Sequence, residues 1–226
     1  MSRFTTQLAA GLLLAPALLA ASVAQAHQAG DIIVRAGAVT VDPREDSSRL
    51  RLAGTPLDGT SATVDSNTQL GLNFMYMLSD QVGVELLAAT PFSHTIGVKG
   101  LGALDGKLGD IKHLPPTLSA VWYPLQQQSA FKPYVGAGLN YTTFFSEDLS
   151  STRKGQGFSG FSLDDSWGLA FQVGADYMLN DNLMINAQVR YIDISTTGRT
   201  RLAGDRVKVD VDVDPMVFLV GLGYMF

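Results

Sequence analysis

The feature that most constrains this chain is a period of two in its hydropathy, repeated along most of its length. Strict alternation places apolar side chains on one face of a strand, whereas a helix repeats every ~3.6 residues. From Ser166 to Leu179, Trp167, Leu169, Phe171, Val173, Ala175, Tyr177 and Leu179 share one face. Small or polar residues, among them Gly168, Gln172, Gly174 and Asp176, share the other. Segments 68–78, 133–142 and 183–191 alternate in the same way, and 32–41, 82–90 and 117–123 do so more weakly. A last strand is expected from about Val207 to Phe226. The reading is an all-β chain of eight antiparallel strands, with no persuasive amphipathic helix and no internal repeat.

The connections alternate in length. Those near 79–81, 125–130 and 180–182 are short, while those near 42–67, 92–113, 146–163 and 195–206 are long and carry glycine, serine and charge, as loops do. Short periplasmic turns on one side and long extracellular loops on the other describe a transmembrane β-barrel of the bacterial outer membrane. Composition agrees. The chain has no cysteine, which excludes a disulfide scaffold, a cysteine-ligated zinc and thiol catalysis. A net charge of −5 without a basic block argues against a nucleic-acid partner. Charged residues make up only 16%, beside 23 glycines, which is unusual for a soluble α/β enzyme.

Residues 1–26 read as an address. Arg3 is followed by an apolar stretch from Leu8 to Leu19 and by Ala24-Gln25-Ala26, a small-residue cleavage pattern. A cleaved signal peptide is expected, leaving 27–226 as one barrel domain; a retained anchor helix is the alternative.

Alternation is shared with soluble eight-stranded barrels of the lipocalin type. Three features favour the inverted, lipid-facing case. The polar faces are glycine-rich, as a narrow lumen requires. Aromatic residues collect at strand ends: Tyr76, Trp122, Tyr177 and Tyr224 on one side, Tyr141, Trp167 and Tyr191 on the other. The chain stops on Phe226, in phase with Tyr224, Leu222, Val220 and Phe218, an ending suited to recognition by the barrel-assembly machinery.

Several motifs together resemble the OmpW/OprG family of small outer-membrane barrels. They are Gly30-Asp31-Ile32-Ile33-Val34-Arg35-Ala36-Gly37, Ala88-Ala89-Thr90-Pro91-Phe92, Gly109 to Thr117 with its Pro115-Pro116, Pro133-Tyr134-Val135-Gly136, and the ending from Asp214-Pro215 to Gly223-Tyr224. The resemblance implies an eight-stranded barrel that passes small, mostly hydrophobic molecules. Transport of small amino acids is a second implication of the same likeness.

Depth along the inward rows suggests how such a barrel works. A polar floor near the periplasm is expected from Arg35, Glu85, Asp176 and Gln172, with Asn73, Met77, Asn186 and Gln188. An apolar lining nearer the long loops is expected from Val39, Val41, Leu87, Ala89, Phe144, Ile192, Ile194, Val209, Val211 and Val213. Valines 207–213 then point inward, and Lys208, Asp210, Asp212 and Asp214 outward above the hydrocarbon; a bulge at Pro215 that exchanges the faces is the rival reading. An apolar solute gains ~25 cal/mol per Å² on entering such a cup and meets only charge below it, so sideways release into the bilayer is favoured. Proline removes a ladder hydrogen bond, and Pro91 and Pro116, which end one strand and open the next, mark the expected lateral opening. The alternative is that these prolines only block edge pairing.

The remaining signals are weaker. Arg35, Glu85, Asp176 and Arg190 could form a selectivity ring or, more simply, a structural charge network. Asp210, Asp212 and Asp214 lack the glycine of a calcium loop. His94 and His113 share a long connection with no fixed serine and carboxylate beside either, so no enzyme, cofactor or metal site is expected. Expected partners are small hydrophobic solutes, outer-membrane lipid and lipopolysaccharide. The competing functions are a channel for small polar solutes and a structural or receptor protein.

Overall fold

The computed structural model describes residues 27–125 and 129–226. The expected signal segment and residues 126–128 of one short turn lie outside them. Eight strands form the wall: Ile32–Asp42, Asn67–Met77, Val82–Ala89, Thr117–Trp122, Phe131–Leu149, Ser166–Met178, Leu183–Ile192 and Met216–Met225. Every neighbouring pair is antiparallel. The first strand pairs with the second and with the last, and Thr117–Trp122 bridges to Phe131–Leu149, so the sheet closes. Closure leaves no edge strand, which is what a sheet crossing hydrocarbon requires.

The alternation read from the sequence is what sorts the two faces. Leu70, Leu72, Phe74 and Tyr76 point outward, while Met75 and Met77 on the same strand are fully buried. Trp167 is 74% exposed and Phe226 70%, an arrangement that only lipid makes favourable. Tyr76, Trp122, Tyr177 and Tyr224 end the outward band on the periplasmic side, with the tilted rings of Tyr141 and Trp167 4.7 Å apart on the other. A narrow barrel must coil its strands sharply, and glycines mark where it does. Gly37 lies opposite Gly221, and a Cβ on Gly37 would sit 2.2 Å from the Val220 carbonyl oxygen.

Two expectations need correction. The long connections are not irregular loops. Phe92–Lys99 pairs with Gly106–Leu114, and Ser195–Leu202 with Asp205–Asp212, so the wall rises well beyond the lipid band. Turn glycines with positive φ, such as Gly100, Gly106 and Gly204, mask the short alternations between them. Secondly, the final strand is two. Asp205–Asp212 belongs to the extracellular hairpin and Met216–Met225 to the wall, with Asp214 at φ 38° and Pro215 between them. The phase survives the break: Asp210, Asp212, Phe218 and Val220 are outward, Val211 and Val217 inward. The face-exchanging bulge does not occur. Helix is confined, among the described residues, to one turn at Ser151–Gly155 and a 3-10 turn at Gly102–Leu104.

Candidate transport site

The lumen is stacked in layers. At the periplasmic end Ile33, Met75, Met77, Met178, Met184 and Met225 pack with Val121, Tyr123 and Tyr134. This apolar plug corrects the expected gradient: the polar residues are not the floor but a belt above it, and Met77 belongs to the plug. Methionines on an otherwise small or polar row were easy to misread, because the thioether is apolar yet adaptable enough to fill irregular space.

The belt crosses the lumen from wall to wall. Arg35 grips Asp176 with two donors, Nε to Oδ1 at 2.9 Å and Nη2 to Oδ2 at 2.6 Å. Its Nη1 donates to Asn73 Oδ1 at 3.2 Å and lies 3.5 Å from Glu85 Oε2. Arg190 donates from Nη2 to Glu85 Oε1 at 2.5 Å and from Nε to Gln172 Oε1 at 2.9 Å. Gln188 Nε2 joins Gln172 at 2.8 Å, and Asn186 Nδ2 reaches Asp176 Oδ1 at 2.8 Å. Tyr123 accepts from Arg35 and donates to Asp176, while Tyr134 packs its ring 5.4 Å from the Arg35 guanidinium. Arg35 and Arg190 meet Glu85 and Asp176, and Lys132, buried across from Asp176, adds a third positive group at the belt's edge. Arg35, Glu85, Asp176 and Asn186 are each 0% exposed, so side chains fill the lumen at this depth. A closed, mutually hydrogen-bonded set of this kind is a structural network rather than an open ring. The sequence reading gives neither tyrosine a role in the lumen, Tyr134 entering only through a family motif; their inward phase within 117–123 and 133–142 is the available signal.

Above the belt lies an apolar layer. Val39, Val41, Leu87, Phe92, Ala170, Ile192, Ile194, Val217 and Leu219 are buried together, with Ala89, Phe144 and Val213 against them. Asn67 and Gln69 interrupt it on one side. Val209 and Val211, expected in the same lining, stand higher. They line an apolar cup built by the extracellular strands with Leu50, Ile96, Val98, Leu108, Phe158 and Leu163, partly open to the outside and leaving a free volume of about 90 Å³ between the side chains. Phe144 and Val213 touch both levels and make the apolar path continuous.

The wall beside this layer carries a gap. Val82–Ala89 and Thr117–Trp122 pair up to Leu87 opposite Thr117; pairing resumes only at Phe92 opposite His113. The interval holds Pro91 and Pro116, both outward, and Pro115, which is buried. At ~3.3 Å per residue the five steps from Leu87 to Phe92 span roughly 16 Å. Both margins are fastened elsewhere. Thr90 N donates to Leu70 O at 3.0 Å, and Tyr141 N to Pro116 O at 3.1 Å. Asn140 Nδ2 donates to Pro115 O at 3.0 Å, Pro116 O at 3.2 Å and Thr117 Oγ1 at 3.0 Å. The break is therefore a seam between two anchored margins, not fraying. The expectation that Pro91 ends a strand needs amending: the wall continues above it, and the inward phase slips by one so that Phe92, not Pro91, turns inside.

Just above the seam, where Phe92 pairs with His113 and His94 with Ile111, two histidines that the sequence left apart come together. His94 Nε2 and His113 Nε2 are 3.0 Å apart, between Phe92 and Phe144. His94 Nδ1 faces the Asp65 carbonyl oxygen at 2.5 Å, which makes it the donor there and leaves Nε2 to accept from His113. Burial pushes both imidazoles toward the neutral form, lowering His113 to about 3, with His94 beside it adding to the effect. Burial lowers His94 as well, with Asp65 working against it. Among the described residues no group of three or more His, Cys, Asp and Glu is placed to hold a metal ion.

A closed barrel with a lipid-facing apolar band, a sealed lower lumen and an open apolar cup defines an integral outer-membrane channel-type barrel. The sequence pattern of the OmpW family matches residues 28–226, and the chain belongs to that family. It is 48% identical over 218 residues to outer membrane protein W of Vibrio cholerae, covering 96% of this chain and 97% of that protein. The crystal structure of OprG from Pseudomonas aeruginosa superposes with a TM-score of 0.87 at 56% identity, covering 90% of this chain and 99% of the other. The dibenzothiophene metabolism operon protein PahQ of Pseudomonas aeruginosa is 29% identical over 181 residues, covering 80% and 82%.

Proposed function

We propose that the protein admits small hydrophobic molecules from outside and releases them sideways into the outer membrane. The observation that carries this reading is the order of the layers: an apolar cup, an apolar layer, a seam in the wall at that layer, and a filled polar belt beneath. A solute in the cup has already left water, at a gain of ~25 cal/mol per Å² of its apolar surface. Going down means displacing charge-paired groups, each of which would lose several kcal/mol of hydrogen bonding and pairing. Going out through the seam keeps it apolar throughout. The name of the relative PahQ, tied to metabolism of an apolar aromatic compound, supports the same solute class. Val39, Val41, Leu87, Ala89, Phe144, Ile192, Ile194, Val209, Val211 and Val213 line the route; Pro91 and Pro116 hold the exit open; Arg35, Glu85, Asp176 and Gln172 close the way down. In this reading the protein has no catalytic role and needs no cofactor. Lipopolysaccharide surrounds the lower extension, and the exposed terminal Phe226 is what the barrel-assembly machinery reads.

The test is solute uptake into liposomes with and without the protein, comparing an apolar aromatic with glycine. Faster entry of the apolar solute alone is expected. Faster entry of glycine points instead to a polar channel, and no change in either flux to a structural or receptor role. Replacing Pro91 with Val, which restores a donor and a strand former at the seam, should slow apolar uptake several-fold. Normal barrel assembly with unchanged uptake would rule the seam out as the exit.

A further inference from the structure

The outer face of the extracellular hairpin carries cations in positions that a strand pair ordinarily avoids. Arg199 lies opposite Lys208 and Arg201 opposite Arg206, and Lys208 has Arg51 on its other side. All five are exposed. Like charges placed directly across a ladder destabilise it. Two of the five are answered: Arg199 pairs with Asp164, and Lys208 with Asp210 at 3.0 Å. Arg51, Arg201 and Arg206 make no ion pair among the described residues, and Asp205, the carboxylate at the hairpin tip, falls on the opposite side of the strand's alternation. Four of them, Arg199, Arg201, Arg206 and Lys208, border an open cleft with Gly160 and Thr200. Gly160 has φ +63° and nothing within 4 Å of where a Cβ would stand, so this side of the cleft is bare.

We propose that this cleft binds a polyanionic polysaccharide, sulfated or phosphorylated, presented from outside the cell. Guanidinium forks match the oxygens of sulfate and phosphate, and a grid of them along two strands suits anions repeated along a chain rather than a single small ion. Height favours an external ligand over the phosphates of the surrounding leaflet. Lys208 and Arg206 stand eight and ten residues beyond Met216, roughly 20–25 Å above the lipid band at ~3.3 Å per residue and a ~40° tilt. Near the hairpin's foot the outward residues are Asp193, Asp210 and Asp212, which repel phosphate at the membrane surface. Arg201, Arg206 and Lys208 do not line the cup, which among these cations only Arg199 reaches, so the site can be altered at Arg201 and Arg206 without touching the transport path.

The experiment uses the full barrel in nanodiscs and measures binding of dextran sulfate, with neutral dextran of equal size and lipopolysaccharide micelles as the other arms. Dextran sulfate is expected to bind, with affinity falling at least tenfold between low and ~0.3 M salt as screening shortens the reach of the charges. Arg201→Gln with Arg206→Gln should weaken binding at least tenfold. Lys99→Gln with Lys154→Gln, which removes the same charge elsewhere on the extension, should leave it within about twofold. The arginine pair variant should also fold at least as well as the parent, since a repulsive contact is relieved. Equal loss in both variants would reduce the effect to net charge, and no binding of dextran sulfate would overturn the proposal. Preferential binding to lipopolysaccharide micelles would overturn the external source.

Discussion

Asn140 shows how much a single side chain can decide at the residue scale. It is completely buried on the wall strand beside the seam, and its amide answers the carbonyls of Pro115 and Pro116, which face a gap in the ladder. Removing it leaves buried acceptors unpaired, at a cost of roughly 1–3 kcal/mol. Asn140→Ala should therefore lower stability by about that amount in urea titrations and speed hydrogen exchange at the Tyr141 amide, which donates to Pro116. Unchanged exchange there would show that the amide does not hold the margin. The histidine pair gives a pH dependence. The unfolded chain takes up protons below the ordinary value of 6.5, while the native pair resists them, with His113 held down to about 3. The stability it contributes is complete above 6.5 and is lost as the pH falls from there toward 3. Amides of the hairpin 92–114, once corrected for the intrinsic fall of exchange with pH, should be less protected at about pH 5 than at neutrality, and His113→Phe should flatten the difference. Neither residue's role could be read from the sequence. Asn140 sits in the right phase of its strand but owes its partners to a gap between two other strands, and the histidines meet only once their strands pair.

At the scale of elements, the wall strands were legible because hydropathy has one dominant period and lipid enforces it on every strand. The methionine plug was not, since methionine on a small-residue row does not declare whether the row is polar. The extension was not, because its strands are short and punctuated by turn glycines. Pro91 illustrates a subtler failure. A slip of one residue exchanges faces, so a reading that keeps the phase through the proline puts Phe92 outside, whereas it is fully buried. The glycine pair at 37 and 221 makes a further prediction. Gly37→Val would drive a side chain into the neighbouring strand's backbone, and the barrel is expected to lose the compact, heat-modifiable band on gels that marks assembly. A normally folded Gly37→Val barrel would show that the strands do not need this close approach.

For the whole molecule, the belt is the element that fills the lower lumen and on which stability rests. Arg35→Ala strands Asp176 and Glu85 without their shared cation, and breaking a buried pair costs roughly 3–5 kcal/mol. The paired change Arg35→Met with Asp176→Leu removes both charges and should recover most of that stability in the same unfolding assay. If the double variant is as unstable as the single one, packing rather than charge pairing sets the cost.

The filled belt has a consequence for ions. Side chains stopper the bore at that depth, and its carboxylates are met by Arg35 and Arg190 with Lys132 beside Asp176, so a small ion finds neither a water path nor an unpaired carboxylate there. A membrane can then hold many copies of such a barrel without becoming leaky to salt.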